Sequence, residues 1–504
     1  MTDGGKKVKY KLLTIFVILS LFVITVSCND STPKQNDKEA AEDTNDTLPE
    51  TAMEDMRYVS ELPGNLDFKG RDFTFIVLAP YNSEWEKWVS RDIYTESETG
   101  EPINDAVFRR NCYVEEKLNV NIRQYSDTDY FNKLQRSVKA GDNDYDAVRI
   151  NLTSSSSAVT AGLLAELDKI PYLNMEKLYW NKNAMDEMSV LNRQYFLLGD
   201  MNLLEKDAST VILFNKKLQT DYQMEDMYAL VKENKWTLDK IHELARGVGR
   251  DLDSDGKLDY DDMLGYMGIR DTATSMLVGA GGSIASKDEN DVPVLNLTSQ
   301  KSAAAIDKIF DIMYDASAFY NLQKLYNTEP GRDVYKVAEA VFDDNRALFY
   351  WVMMREVESF RNMETDFGIL PLPKYDEAQK NYITTFNVYT GTSFGIPVNA
   401  DLEFAGAVLE AMCESAYKLI IPQYFDINLY TKNVRDDESL EMLDIIFNSV
   451  TIDIGAVYNF GSLRDSFMDM TMKDDRNLVS MYEKREASAI KDIDKFIAEM
   501  EKSG

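Results

Sequence analysis

Histidine is almost missing from this chain: 504 residues hold one, His242, in the stretch "KIHELARG". A single imidazole excludes a histidine-based metal cluster, and no nucleophile motif accompanies it. Its setting reads as a solvated or core position on a helix. Cysteine is nearly as scarce, with Cys28, Cys112 and Cys413 the only three. That count gives no disulfide framework. One long-range bridge between Cys112 and Cys413 is open, but both fall in helical patterns and read as buried free thiols. Positive charge is the third shortage. Lys and Arg number 55 against 86 Asp and Glu, a net charge of −31. With no basic stripe either, the phosphate backbone of a nucleic acid would be repelled, so no nucleic-acid partner is expected. Long apolar runs are also lacking. The one uncharged, mostly apolar stretch, Leu12 to Val26, is short for a membrane-spanning helix.

That stretch has a different use. Lys6, Lys7, Lys9 and Lys11 precede it, and it ends in "ITVSC" with small Ser27 before Cys28. The pattern resembles a bacterial lipoprotein signal, residues 1–27, in which Cys28 becomes the lipidated N-terminus. Thr25 departs from the resemblance, standing where Leu is commoner, and an uncleaved signal anchor is the alternative. Residues 28–63 are rich in Asp, Glu, Thr, Asn, Lys and Pro and read as a flexible tether. Lipid plus tether place the body on the extracellular face of the cytoplasmic membrane.

The chain is 44% hydrophobic and 11% aromatic, enough for cores of two ordinary domains. The body opens as α/β. "DFTFIVLAP" (72–80), "NVNIRQY" (119–125) and "YDAVRI" (145–150) read as strands, with helices over "INDAVFRRNCYVEEKL" and "DYFNKLQRSVKAG" between them. Alternation of this kind implies a parallel sheet, whose ligands bind outside the carboxyl ends of the strands. Later segments are helical. Ile306, Ile309, Phe310 and Met313 form one core stripe, and Ile490, Ile493, Ile497 and Met500 another.

One loop carries metal chemistry. "DLDSDGKLDYDD" places Asp251, Asp253, Asp255, Lys257 (through its carbonyl), Asp259 and Asp262 at the six oxygen positions of an EF-hand-type loop, with Gly256 at its turn. A solvated acidic turn is the alternative, but carboxylates spaced like this repel one another without a cation. Asp at the last position, where Glu is usual, is a departure. Calcium sensing needs helices on both sides and a paired second loop. Here a helix (237–249) enters, "MLGYMGIRD" reads as a strand on exit, and no second loop occurs. The expected role is structural Ca²⁺, a clip within one lobe.

The order of several segments carries a resemblance. "SVKAGDNDYDAV", "VILFNKKL", "KWTLDKIHELARGV", "GAGGSI", "AEAVFDDNRALFYW" and "DFGILPLPKYDEAQ" are each weak, but in this order the chain from about residue 62 resembles bacterial extracellular solute-binding proteins of carbohydrate ABC importers, the group of maltose-binding protein. "EPINDAVFRRNCYVEEKLNV" and "IIPQYFDINLYTKNVRDDESLEMLDII" resemble its larger members, in which a DxDxDG loop often follows the same helix. The resemblance implies a two-lobed, periplasmic-binding-protein-like (Venus flytrap) α/β fold with a hinge and discontinuous lobes. The first lobe is expected over 64–213 and 347–395, and a helix-rich second over 214–346 and 396–504. Crossings fall near Phe214–Asn215, Ala347 and Gly395.

The resemblance also implies a solute, of which a sugar is the leading class, held between the lobes of a monomer and passed to a membrane permease. Sugars need aromatic platforms and hydrogen-bonding edges. Glu84, Trp85, Asp207, Arg270, Asp271, Trp351, Asn387, Tyr389 and Tyr458 stand where such proteins place those groups. Core packing competes for Trp351 and Tyr458, and a helix cap or surface charge for Asp207. Two other functions stay open: a secreted glycoside hydrolase using a carboxylate pair, and a surface carbohydrate-binding module docked through calcium. Neither has a supporting pattern, since no eightfold barrel repeat and no tandem loop are present.

Overall fold

The computed structural model describes residues 56–425 and 437–503. The signal segment, Cys28 and the tether up to residue 55 lie outside the described residues, as does part of "IIPQYFDINLYTKNVRDDESLEMLDII". No helix among the described residues is long and apolar enough to cross a membrane.

The first lobe begins with β1 (Arg71–Leu78), α1 (Pro102–Leu118), β2 (Val120–Asp127), α2 (Tyr130–Ala140) and β3 (Ala147–Asn151). β1 pairs parallel with both β2 and β3, as alternation requires. α1 starts with Pro102 behind a Glu101 cap and buries Val107, Val114 and Leu118. Residues 58–62, assigned to the tether by composition, are packed onto this lobe. Tyr58 stacks on Tyr417 at 3.8 Å, and Ser60 Oγ donates to Glu414 at 2.6 Å.

The second lobe is built on β4 (Thr210–Asn215), α3 (Leu238–Arg246), β5 (Leu264–Gly268), α4 (Asp271–Gly279), α5 (Gln300–Met313), β6 (Phe319–Asn321), α6 (Val334–Asp343), β7 (Ala347–Met353) and β8 (Phe367–Leu370). Its sheet runs β8-β4-β7-β5-β6. β4 and β7 pair antiparallel from Thr210↔Met353 to Phe214↔Phe349. β9 (Thr392–Gly395) then returns to the first sheet, antiparallel to β3. α7 (Leu402–Leu419) packs across α1 and sets Phe404 against Phe68 and Phe73. α8 (Asp437–Asn448), α9 (Leu463–Lys473) and α10 (Leu478–Ser503) complete the described chain.

These pairings correct the expected lobe limits. Residues 210–213, 347–353 and 367–370 belong to the second sheet, and 396–419, expected in the second lobe, follow β9 and pack on the first. The chain crosses at 208–210, where Ser209 bridges Phe386, and returns through 386–391. It does not cross near Phe214–Asn215, Ala347 or Gly395. The reason is physical: "ALFYWVM" is buried at every position, and a strand buried on both faces carries no mark of which sheet it joins.

Two further expectations change. Cys413 is buried, but Cys112 is exposed on the outer face of α1. On α10 the buried stripe is Ala489, Ile493, Phe496 and Met500, while Ile490 is 47% exposed. Gly461, at φ +59, admits this helix so closely that a Cβ there would meet the Ala489 backbone at 2.6 Å. Small Ala489 therefore takes the place that hydropathy alone gives to Ile490. His242 is part-buried on α3, with Nε2 at 3.0 Å from Asp315 Oδ2.

Candidate functional site

Four strands from the two sheets end at one cavity of about 790 Å³. This is where parallel α/β sheets leave backbone groups and loops free to receive a ligand. From the first lobe, the turn after β1, Ser83–Trp88, contributes Trp85, Lys87 and Trp88. Asn82 organises the turn by accepting the Trp85 N–H on its carbonyl at 3.1 Å and on its side chain at 3.2 Å. Trp85 is half-buried, with Tyr81 edge-on to it at 6.1 Å. From the second lobe come Arg270 and Asp271 after β5, Gln323 after β6, Tyr335 near the start of α6, and Arg355 and Glu356 after β7. The crossing segment adds Asn387, Tyr389 and Thr390.

Hydrogen bonds fix the polar groups. Gln323 Oε1 accepts the Arg270 N–H at 3.1 Å, and Arg270 Nη1 donates to Asp469 at 2.7 Å. Asp271 accepts from Asn387 Nδ2 at 2.8 Å. Tyr389 OH donates to Asp465 at 2.8 Å, with the Arg464 guanidinium 4.8 Å from its ring centre. Burial pushes the Asp271 and Glu356 carboxyls above the usual range. Lys87 of the first lobe faces Glu356 of the second at 3.6 Å, an ion pair across the cleft.

Of the residues expected at the site, the cavity gathers Trp85, Arg270, Asp271, Asn387 and Tyr389. Glu84 lies in the same turn, but its side chain is outside the described residues. Three others sit elsewhere. Asp207 is buried and committed to Arg91 Nη2 at 2.9 Å and Tyr424 OH at 3.1 Å. Trp351 lies inside β7 at 2% exposure, and Tyr458 is buried with its OH on the Met188 carbonyl at 2.9 Å. For both, packing won. The sequence reading missed Lys87, Trp88, Gln323, Tyr335, Arg355 and Glu356. The last two had a legible signal, being the first charged residues after the apolar run of β7. Tyr335 had none, because its helix reads as an ordinary core stripe.

The acidic loop occupies the opposite end of β5. Arg250 and Met263 pair and pinch it closed just before the strand begins, roughly 16 Å of strand from the cleft. Asp251, Asp253 and Asp255 each bring a carboxylate oxygen within 4.8 Å of the others. Gly256 makes the turn at φ +83. Asp253 accepts the Asp255 N–H, which favours its charged form, yet desolvation and the charges of Asp255, Asp262 and Asp251 leave its pKa raised. Asp262 spends its two oxygens on the Leu252 N–H at 2.7 Å and the Asp259 N–H at 3.0 Å, and Asp259 accepts from the Asp261 N–H. Asp251 likewise accepts the Ser254 and Gly256 N–H groups, at 2.6 and 2.9 Å, so such bonds do not separate the two sets; of the five expected carboxylate ligands, Asp251, Asp253 and Asp255 converge.

No protein-family model matches the sequence, and none of the curated proteins does. Solved structures do match. One is the galacto-N-biose/lacto-N-biose I-binding protein of an ABC transporter from Bifidobacterium longum, in complex with lacto-N-biose. It has TM-score 0.55 and 13% identity, over 85% of this chain and 98% of that one. Another is an ABC substrate-binding protein of Listeria monocytogenes in complex with cycloalternan, with TM-score 0.51 and 16% identity, over 86% and 99%. A third, UgpB of Mycobacterium tuberculosis in complex with glycerophosphocholine, has TM-score 0.52 and 12% identity, over 78% and 98%. At such identities the likeness is one of fold, and the fold of this chain is the two-lobed α/β fold of ABC-transporter substrate-binding proteins.

Proposed function

We propose that this protein captures an extracellular saccharide between its lobes and delivers it to the permease of an ABC importer. The observation that carries the reading is the cleft. Its volume lies in the range of small-molecule sites, about 300–1,000 Å³. Trp85, Trp88, Tyr335 and Tyr389 offer ring surface, and Arg270, Gln323, Asn387 and Thr390 offer hydrogen bonds around it. Hydroxyl-rich rings with apolar faces match that combination. The structural relatives bind a disaccharide, a cyclic oligosaccharide and glycerophosphocholine, so the fold accommodates more than sugars and the aromatic lining favours them here. A hydrolytic role is the weaker reading, because Glu356 is turned to Lys87 and the Met353 N–H, and Asp271 to Asn387. Thermal-shift screening against mono- and oligosaccharides, followed by calorimetry of the hits, tests the proposal. A melting point moved by a non-sugar solute and by no saccharide overturns it.

The acidic loop is proposed to hold calcium as a clip of the second lobe. Its three converging carboxylates and glycine turn suit a large, flexible oxygen shell better than the small octahedral shell of magnesium. A cation bound to the folded loop alone adds about 2.7 kcal/mol at a hundredfold excess over its dissociation constant. EGTA is therefore expected to lower the melting temperature, and calcium to restore it better than magnesium. Asp255→Ala is expected to remove most of that response and to leave solute affinity largely intact. Identical melting in EGTA and calcium sinks the clip.

Lipid anchoring through Cys28 is likewise proposed, on the pattern of residues 6–28. Cys28→Ala is expected to leave an uncleaved precursor or to release the protein into the medium. A membrane-bound fraction of normal mature size in that variant argues against the anchor.

A further inference from the structure

We infer that the cleft selects solutes without negative charge, accepting neutral or amino-bearing polyhydroxyl compounds and rejecting uronates and phosphates. The inference deepens the saccharide reading and rests on the same cavity.

An anionic ligand needs an uncommitted cation or an open helix N-terminus to replace its water. Among the described residues the cavity wall carries four cations, and each stands within 3.9 Å of a carboxylate of this chain, although Arg270 Nε makes no hydrogen bond. Lys87 faces Glu356 at 3.6 Å, Arg355 meets Glu358 at 2.7 Å, Arg270 meets Asp469 at 2.7 Å, and Lys336 stands 3.9 Å from Asp333. The two α-helices that begin at the cavity spend first-turn N–H groups within the chain. Asp333 caps α6 by accepting the Tyr335 and Lys336 N–H groups at 3.0 and 3.2 Å. At the start of α4 the Thr272 and Ala273 N–H groups go to the Ile269 and Arg270 carbonyls, and Asp271 itself supplies the negative charge in the first turn.

Negative charge is in surplus. Among the described residues five carboxylates line the cavity against four cations; behind them stand Glu358, Asp469 and Asp465, with Arg91 3.9 Å from Glu358 and Arg464 2.9 Å from Asp465, so the carboxylates still outnumber the cations. Among the described residues Glu339 is bonded by the Ser359 hydroxyl and not by a cation, and Glu86 is exposed at the cavity rim. A ligand carboxylate enclosed here meets uncompensated like charge in a partly desolvated space. At an effective dielectric constant near 20 a like charge roughly 8 Å away costs more than a tenfold loss in binding. A neutral hydroxyl loses nothing by this, and the carboxylates and carbonyls serve it as acceptors.

The test is calorimetric titration of matched pairs, a neutral galacto-oligosaccharide beside the oligogalacturonate of equal length and glucosamine-bearing beside glucuronate-bearing disaccharides, together with the uncharged and phosphorylated forms of any solute found by screening. The negatively charged member of each pair is expected to bind at least about tenfold more weakly. The gap is expected to narrow in high salt, which screens the part of the repulsion that reaches solvent, and in Glu339→Gln. Tighter or equal binding of a uronate or phosphate overturns the inference. A hit that is no saccharide ends the carbohydrate reading, and its charge still decides this one: a neutral or cationic hit sustains it and an anionic hit overturns it.

Discussion

Trp85→Ala is expected to weaken solute binding by about two orders of magnitude while leaving the fold in place. The ring is half-buried in a surface turn whose form is set by Asn82 accepting the Trp85 backbone N–H, so truncation removes the platform and keeps the turn. Loss of a central aromatic anchor in a desolvated site costs about 2–4 kcal/mol of binding, roughly 30- to 1,000-fold. Trp351→Ala is the counterpart. That indole is 2% exposed in the middle of β7, and its removal is expected to cost roughly 3–5 kcal/mol of stability with no direct loss of ligand contact. Calorimetry for affinity and chemical denaturation for stability separate the two. Equal effects of both variants on affinity would place the binding surface elsewhere.

Asp92→Ala is expected to cost about 3–5 kcal/mol of stability. Asp92 is fully buried in the first lobe. Its carboxylate accepts from Arg149 Nη2 at 2.6 Å and from the Leu203 N–H at 2.5 Å, and its carbonyl accepts from Arg110 Nη2 at 2.6 Å. Arg110 and Arg149 are themselves 0% and 3% exposed, so removing the carboxylate leaves two buried guanidinium groups short of a counter-charge. Burial alone would raise the Asp92 pKa, but Arg149, the Leu203 N–H and Arg110 hold it below its usual value. A carboxyl depressed on folding contributes stability that is full above its unfolded pKa, near about 3.9, and is lost as pH falls through the lower folded value. Wild type is therefore expected to lose first-lobe stability below about pH 4, and Asp92→Asn to show a shallower acid limb. Denaturation midpoints measured across pH check this. An unchanged acid limb in the variant would show that the cluster does not carry the titration.

The sequence by itself determined what rests on local pattern. Residues 72–150 alternate between short apolar runs and helical spacing, and the strands and helices between Arg71 and Asn151 formed where that alternation put them. The loop from Asp251 to Asp262 was legible for the same reason: its turn, its strand exit and its converging Asp251, Asp253 and Asp255 all depend on neighbours a few residues apart. Trp85, Arg270 and Asp271 come from the resemblance, which places such groups just past the strand ends where the cavity lies. Only the tertiary structure decided the rest. Whether "ALFYWVM" joins the first sheet or the second depends on backbone hydrogen bonds with residues 210–214, and an evenly apolar strand fits either partner. Asp207 left the cleft because Arg91, over a hundred residues earlier, lies within 2.9 Å of it in the fold. Ile490 gave way to Ala489 because Gly461 brings a second backbone too close for a larger side chain. In each case the deciding contact joins residues far apart in the chain, and hydropathy and spacing along the sequence carry no information about it.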